Sequence, residues 1–187
     1  MKSLLIVIGV LVGLGLIVVL PLLATYNNFV GKSQAVDEQW AQVETQYQRR
    51  FDLIPNLVES VKGAMAQERA VFETIANART RYAGAATVNE KAASAGELES
   101  AFARLLVIME NYPQLRSIER VGQLMDELAG TENRISVERR RYNQVVRDYN
   151  TSIKKFPGVM LAGAFGFTER NYFTSTTGAD VPPKVEF

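Results

Sequence analysis

The sequence predicts an all-α protein in which an N-terminal transmembrane helix is followed by an elongated antiparallel helical bundle. Three observations support this fold class: residues 4–24 form an uncharged apolar run, apolar residues then recur three and four positions apart, and strand-like alternation is absent outside the last few residues. The predicted divisions are an anchor at 1–25, a bundle at 26–155, an apolar glycine-rich segment at 156–173 and a flexible tail at 174–187.

Composition limits the chemistry that the chain can perform. Lysine and arginine total 21 against 20 acidic residues, so the basic surplus typical of nucleic-acid binders is missing and we predict no nucleic-acid partner. There is no cysteine and no histidine, which removes thiolate nucleophiles, the commonest metal ligand and the commonest general base. We predict no catalytic residue, metal or cofactor; a carboxylate-dependent enzyme is the only catalytic alternative.

The apolar run at 4–24 is long enough to span a membrane. About 20 helical residues cross a hydrocarbon core of roughly 30 Å. A cleaved signal is the alternative, but the run exceeds the usual signal core and Leu22 stands where a small residue is preferred. Gly9 and Gly13 have the spacing that lets two membrane helices approach, although glycine is also common in such helices without that role. A margin of one charge favours the N-terminus in the cytoplasm and the domain outside.

After the anchor, three helices are predicted in a long, short, long order. Pro55 predicts a kink or short break near residues 52–56 of the first. Small and polar residues predict a loop at 84–93, and Ser94 with Glu97 predicts a capping box that opens the second helix. Pro113 is expected to open the third helix at its first position, and Pro157 to follow its end.

Charged and polar residues interrupt the apolar stripes of the first and third helices. They are Arg50, Glu68, Thr131, Glu132 and Arg139. If these side chains face inward they must pair, because an isolated buried charge is very costly. The alternative is that they lie at the flank of the stripe and extend their charged ends to water.

The segment at 156–167, FPGVMLAGAFGF, is apolar throughout but too short to span a bilayer. It is expected to lie in a membrane interface, to dock on the bundle or to contact a neighbouring subunit. The candidate contact residues are Phe156, Val159, Met160, Leu161, Phe165 and Phe167. The chain ends in Lys184–Phe187, which either binds a sheet edge or a carboxylate-binding site of a partner, or simply frays.

Several stretches together resemble one protein family. They include RRFDLIPNLV at 49–58, NYPQL at 111–115, TENRI at 131–135, RYN at 141–143 and YN at 149–150. In this order, and over nearly the whole chain, they resemble the LemA family of bacterial membrane proteins. The residues that carry the resemblance are Arg49, Arg50, Asp52, Pro55, Asn56, Glu68, Tyr112, Pro113, Glu132, Asn133, Arg134, Tyr142, Asn143, Tyr149 and Asn150.

The resemblance implies an N-terminal anchor, a helical bundle and a role in membrane organisation, with no established catalytic or binding residues to carry over. We therefore predict a non-enzymatic, membrane-anchored scaffold that contacts membrane lipid, self-associates as a homo-oligomer and organises or shapes the bacterial inner membrane. The alternative is an adaptor that recruits a protein partner, such as a membrane protease, through its bundle face or its tail.

Overall fold

The computed structural model describes residues 2–174 and contains no β-strand within them, which confirms the all-α prediction. The helices are α1 (Lys2–Lys62), α2 (Arg69–Gly84), α3 (Val88–Met109), a 3₁₀ helix (Pro113–Ser117), α4 (Glu119–Lys154) and the one-turn α5 (Gly158–Leu161). The predicted tail from residue 175 onward, including Lys184–Phe187, lies outside the described residues.

Helix α1 continues without a break past Pro55, so the break allowed for at residues 52–56 is absent. The chain leaves the helix only at Gly63, and a turn region follows as far as Glu68. A proline inside a helix costs about 3 kcal/mol. Burying Ile54 and Leu57 on either side contributes roughly 1.5–3 kcal/mol each, which is enough to keep the helix intact.

The predicted loop at 84–93 is wrong, because only residues 85–87 separate α2 from α3. The capping box is formed by Thr87 and Glu90, seven residues before the one predicted at Ser94 and Glu97. The Thr87 hydroxyl accepts from the Glu90 amide at 3.2 Å, and the Glu90 carboxylate accepts from the Thr87 amide at 3.0 Å. The sequence holds both S/T-x-x-E signals; the earlier one is used because the residues after it already belong to the helix that packs against α2.

We expect Glu90→Gln to lower stability at neutral pH and to have no effect in acid. Hydrogen bonds from the Thr87 and Ala86 amides lower the pKa of Glu90. A lowered pKa means that the stabilisation is complete above the ordinary carboxyl pKa and is lost as pH falls through the folded-state value. Urea unfolding of both proteins as a function of pH measures this. A difference that persisted below the lowered pKa would contradict the capping role.

The third predicted helix also starts later than expected. Pro113 opens the 3₁₀ helix Pro113–Ser117, and α4 begins only at Glu119. The fixed φ of proline suits the first position of either helix type, so the sequence did not distinguish them. Helix α4 ends at Lys154, before Phe156 and Pro157, as predicted.

The described chain divides into two compact units. The first unit comprises residues 2–40 and 143–170. Within it α1 and α4 run antiparallel, because Lys32 of α1 bonds the Asp148 carbonyl at 3.1 Å while the earlier Phe29 packs against the later Gly158. Its core side chains are Phe29, Val36, Val146, Tyr149, Ile153 and Ala162.

The N-terminal part of α1 belongs to the first unit, but no other part of that unit packs against it. Its most apolar 18-residue window has a mean hydropathy of 3.1 and is 0% buried. Side chains such as Leu5 and Ile17 are about 70% exposed. By length and composition, this is the one helix among residues 2–174 that could cross a membrane.

The second unit comprises residues 41–142 and, of the described chain, 171–174. Helix α2 packs against α3 here. The predicted inward stripes of α1 and α4 are buried as expected, and α3 contributes a third buried stripe. The largest buried side chains of this unit are Tyr47, Ile54, Leu57, Met65, Leu98, Leu105, Leu115, Leu128, Ile135 and Tyr142.

Candidate functional site

The family-motif residues lie in several separate groups, and the first is an ion pair in the second unit with one buried partner. The guanidinium of Arg50 on α1 pairs with the carboxylate of Glu132 on α4 and lies 5.4 Å from the ring centroid of Phe102. Arg50 is 5% exposed, whereas the Glu132 side chain is 48% exposed. Burial lowers the pKa of Arg50, and the negative charge of Glu99 opposes that change.

The inward alternative is therefore right for Arg50, while Glu132 reaches it from the flank of α4. Thr131 is also buried, and its hydroxyl donates to the Leu128 carbonyl at 2.7 Å. Arg139 is partly buried, 3.9 Å from Glu99, and Glu68 accepts from the Tyr112 hydroxyl at 3.4 Å. The contacts of Arg50, Arg139 and Glu68 join different segments of the second unit, whereas the Thr131 bond lies within α4.

The exposed residues of the RRFDLIPN stretch form a second group, which lines an open groove in the second unit. Arg49, Asp52 and Asn56 of α1 face this groove together with Arg79 of α2 and Lys91 of α3. We call it the signature groove. Its lining carries three cations, the amides of Gln48 and Asn56, and the carboxylates of Glu44 and Asp52.

The charges of the signature groove are only partly neutralised. Lys91 pairs with Glu44, and Asp52 accepts from Gln48 at 3.1 Å. Within residues 2–174, neither Arg49 nor Arg79 forms an ion pair. The groove therefore has two unneutralised guanidiniums, which suit a carboxylate or phosphate group.

The YN motif at 149–150 holds the chain after α5 in the first unit. The Tyr149 hydroxyl donates to the Thr168 carbonyl at 2.9 Å. The Asn150 amide donates to the Arg170 carbonyl and accepts from the Arg170 amide, both at 2.9 Å. Asn150 is 5% exposed, so water does not compete for these bonds. Its side chain supplies the hydrogen-bond partners that the backbone of this irregular segment needs.

The RYN motif has the same kind of role within the second unit. The Tyr142 hydroxyl donates to the Asn171 carbonyl at 3.0 Å. The buried ring of Phe173 stacks on Tyr47 with centroids 6.2 Å apart, and the Arg139 guanidinium lies 4.3 Å from the Phe173 centroid. The sequence analysis missed Phe173 and Arg170. One feature of the sequence could have indicated this contact: Asn150 is a polar residue on the mostly apolar stripe of α4. A buried side-chain amide needs hydrogen-bond partners, so another segment of the chain had to supply them.

We expect Asn150→Ala to destabilise the first unit by about 2 kcal/mol, because two hydrogen bonds to the Arg170 backbone are lost and those backbone groups stay unpaired. Amide hydrogen exchange at residues 168–170 should rise more than anywhere in α1. The matched control is Asn133→Ala, an exposed asparagine of α4. Equal exchange in both variants would show that Asn150 does not hold the segment.

The apolar segment at 156–167 has one docked side and one open side. Phe165 and Phe167 meet the Tyr26 ring edge to face, with centroids 5.2 and 5.9 Å away. Phe167 and Leu161 are half-buried. Docking within the chain is therefore right for this side of the segment.

The other side is open: Phe156 is 80% exposed and Met160 71%. Val159 is 58% exposed. We call Phe156, Val159 and Met160 the apolar patch.

Three further predicted positions, Arg134, Gly9 and Gly13, lie apart from these groups. Arg134 lies on the outer side of α4, and Gly9 and Gly13 lie on the open surface of α1. A β-carbon added at either glycine would meet no atom within 4 Å. Among the described residues, no three acidic side chains come together in a way that could hold a metal ion.

Comparison with known proteins covers most of the chain. The family model described as LemA family matches residues 39–187. Magnetosome protein MamQ 2 and Magnetosome protein MamQ 1 of Paramagnetospirillum magneticum are each 28% identical to the chain, over 86% of this chain and 69% of the relative. Magnetosome protein MamQ of Magnetospirillum gryphiswaldense is 27% identical over the same shares.

The family match begins in the helix that carries RRFDLIPN and extends through the Asn150 and Phe173 contacts, so it includes every motif described above except the anchor glycines. Together with the uncovered apolar stretch of α1, it describes a membrane-associated helical protein. The chain belongs to the LemA family.

Proposed function

We propose that this protein is a non-enzymatic, membrane-anchored helical scaffold that self-associates and organises or shapes the bacterial inner membrane. The observation that carries the proposal is the continuity of α1. The apolar residues 4–24 lead, without a break, into a helix whose later residues form the core of the packed domain. Force or curvature at the membrane is then transmitted to the domain through helix rather than through a loose linker.

Two further observations support this proposal. The relatives at 27–28% identity are named magnetosome proteins, which agrees with a role at a membrane. The anchor also offers a surface on which a second membrane helix could pack, since Gly9 and Gly13 are four residues apart and no atom of the chain covers them. Small residues at this spacing let two membrane helices pack backbone to backbone.

The mass of the full-length protein in mild detergent, measured by light scattering and negative-stain imaging, tests self-association. A uniform assembly of several copies is expected, and Gly9→Leu with Gly13→Leu should reduce its mass. Gly15→Leu is the matched control, because Gly15 is equally unobstructed but lies on another face of α1. A strict monomer at high concentration would overturn the scaffold proposal.

We also propose that the domain lies outside the cytoplasm, on the basis of the charge balance around the anchor. The chain has no native cysteine, so a single Ser136→Cys substitution on the exposed side of α4 gives a unique label site. Labelling by a membrane-impermeant maleimide in intact spheroplasts is expected. Labelling only after lysis would place the domain in the cytoplasm.

The signature groove favours a second candidate function, an adaptor that binds an acidic segment of a partner protein. Arg49 and Arg79 supply charge without competition from a paired carboxylate among residues 2–174. Arg49→Ala with Arg79→Ala should abolish cross-linking to that partner and leave the assembly mass unchanged, whereas the exposed Arg134→Ala should change neither. Removing residues 174–187 tests whether the tail takes part as well.

A further inference from the structure

We infer that the apolar patch formed by Phe156, Val159 and Met160 inserts into the lipid interface beside the point where α1 leaves the membrane. The protein would then hold the bilayer at two depths: one helix through it and one shallow contact next to that helix. This inference rests on the proposed membrane span and adds a second lipid-binding element that the family match does not assign.

The patch has a fixed direction. The opposite side of its short helix is buried: Gly158 packs so closely that an added β-carbon would lie 2.9 Å from the Phe29 ring, and Ala162 is 6% exposed. Gly166, with φ of +76°, turns the chain so that the Phe167 amide donates to the Ala162 carbonyl at 2.9 Å. With one side held, the exposed side chains point away from the first unit.

The patch also lies at the level of the headgroup layer. Gly158, within the patch, packs on Phe29, which is five residues or about 7.5 Å beyond the end of the apolar run. Phe165 and Phe167 pack on Tyr26, and Tyr26 is two residues after the apolar run ends at Ala24. At 1.5 Å per residue, this is about 3 Å beyond the end of the run. The headgroup layer on each side of a bilayer is roughly 5–8 Å thick, so these rings lie within it if α1 spans. Aromatic side chains are enriched at that depth.

Lipid fits the patch better than a second copy of the chain. A stable protein interface covers roughly 800 Å² per partner, whereas this patch has only three side chains, two on the one-turn helix α5 and Phe156 just before it. Lys155 beside Phe156 is exposed and forms no ion pair within residues 2–174, so it can meet an anionic headgroup.

Tryptophan quenching by brominated lipid tests the inference directly. Trp40 is the only tryptophan, so Trp40→Phe gives a silent background. Full-length protein carrying Phe156→Trp is placed in nanodiscs at one copy per disc, with bromine on the acyl chains near the headgroup. A second set of nanodiscs carries bromine near the chain ends and is used for the Leu14→Trp variant, because Leu14 lies at the middle of the apolar run. At least a twofold loss of fluorescence is expected. With one copy per disc, no second protein molecule can contact the patch or shield its tryptophan from the bromine.

Two control positions make each outcome decisive. Gln144→Trp is exposed on α4 about 15 Å along the helix axis from Lys154 and should not be quenched. Leu14→Trp lies inside the apolar run and should be quenched if α1 spans. Quenching of Leu14→Trp but not of Phe156→Trp overturns the inference alone, whereas no quenching at Leu14→Trp overturns the membrane span and the proposed function with it.

A second measurement separates lipid contact from protein contact. The triple variant Phe156→Ser, Val159→Ser, Met160→Ser should leave the assembly mass in detergent unchanged and reduce deformation of anionic liposomes. If the triple variant instead lowers the assembly mass, the patch is an interface between copies and the inference is wrong.

Discussion

Replacing Tyr47 by alanine is expected to destabilise the second unit by about 4 kcal/mol, the largest effect of any single substitution considered. Tyr47 is 1% exposed, and its ring contacts Phe51, Tyr82 and Phe173 at centroid distances of 5.9, 5.8 and 6.2 Å. Truncation would leave a cavity among three aromatic rings. Urea unfolding of the full-length protein in detergent, followed by circular dichroism, measures the change.

The hydroxyl of Tyr47 supplies the control for this experiment. It donates to the Glu99 carboxylate at 3.1 Å, and burial raises the pKa of Tyr47, so the neutral hydroxyl is the form that packs here. Tyr47→Phe keeps the ring and removes the hydrogen bond, which should cost about 1 kcal/mol. If alanine and phenylalanine had equal effects, the ring contacts would not be what stabilises this unit.

Removing the partner of Arg50 is expected to have the second-largest effect. Glu132→Ala leaves a guanidinium that is 5% exposed without its carboxylate, which should cost about 3 kcal/mol. The low end of the usual range applies because Glu132 is 48% exposed, so water can enter the space that it leaves. Thermal unfolding of the full-length protein gives the shift.

A double variant distinguishes the cost of leaving Arg50 buried without a partner from the cost of losing one contact. Arg50→Met with Glu132→Leu removes both charges and keeps apolar volume, so this double variant should be more stable than Glu132→Ala. Asn133→Ala, at the neighbouring exposed position, should change stability by less than about 0.5 kcal/mol. A double variant no better than Glu132→Ala would mean that burial of Arg50 is not the source of the cost.

The family-motif residues fall into two classes, buried residues that stabilise the fold and exposed residues that are available for recognition. Arg50, Tyr142, Tyr149 and Asn150 are buried and bind other parts of the chain, so we assign them to folding. Arg49, Asp52 and Asn56 are exposed beside a groove, where they contribute no packing of comparable size. Exposed polar residues in a fixed arrangement are better candidates for recognition than for stability.

The sequence predicted the helical class, the inward stripes and the end of α4 correctly, because each of these depends on local information. Helical periodicity identifies which side of α1 is buried, and the Phe156-Pro157 pair stops α4 through steric limits on its own backbone. The capping box was a harder case. Two valid signals lie seven residues apart, and the choice of Thr87 required knowing that residues 88–93 continue as helix against α2.

What the sequence by itself determined is therefore an all-α chain with one apolar stretch long enough to cross a membrane, since length, charge and period suffice for both. Only the tertiary structure decided that Pro55 stays within α1, that Arg50 pairs with a residue 82 positions later, and that Asn150 binds the backbone at Arg170. The apolar patch belongs with these. Its sequence marks it as apolar, but which side chains stay exposed depends on Tyr26 and Phe29, more than a hundred residues away. Contacts at such separations are set by packing free energy, which no local pattern encodes.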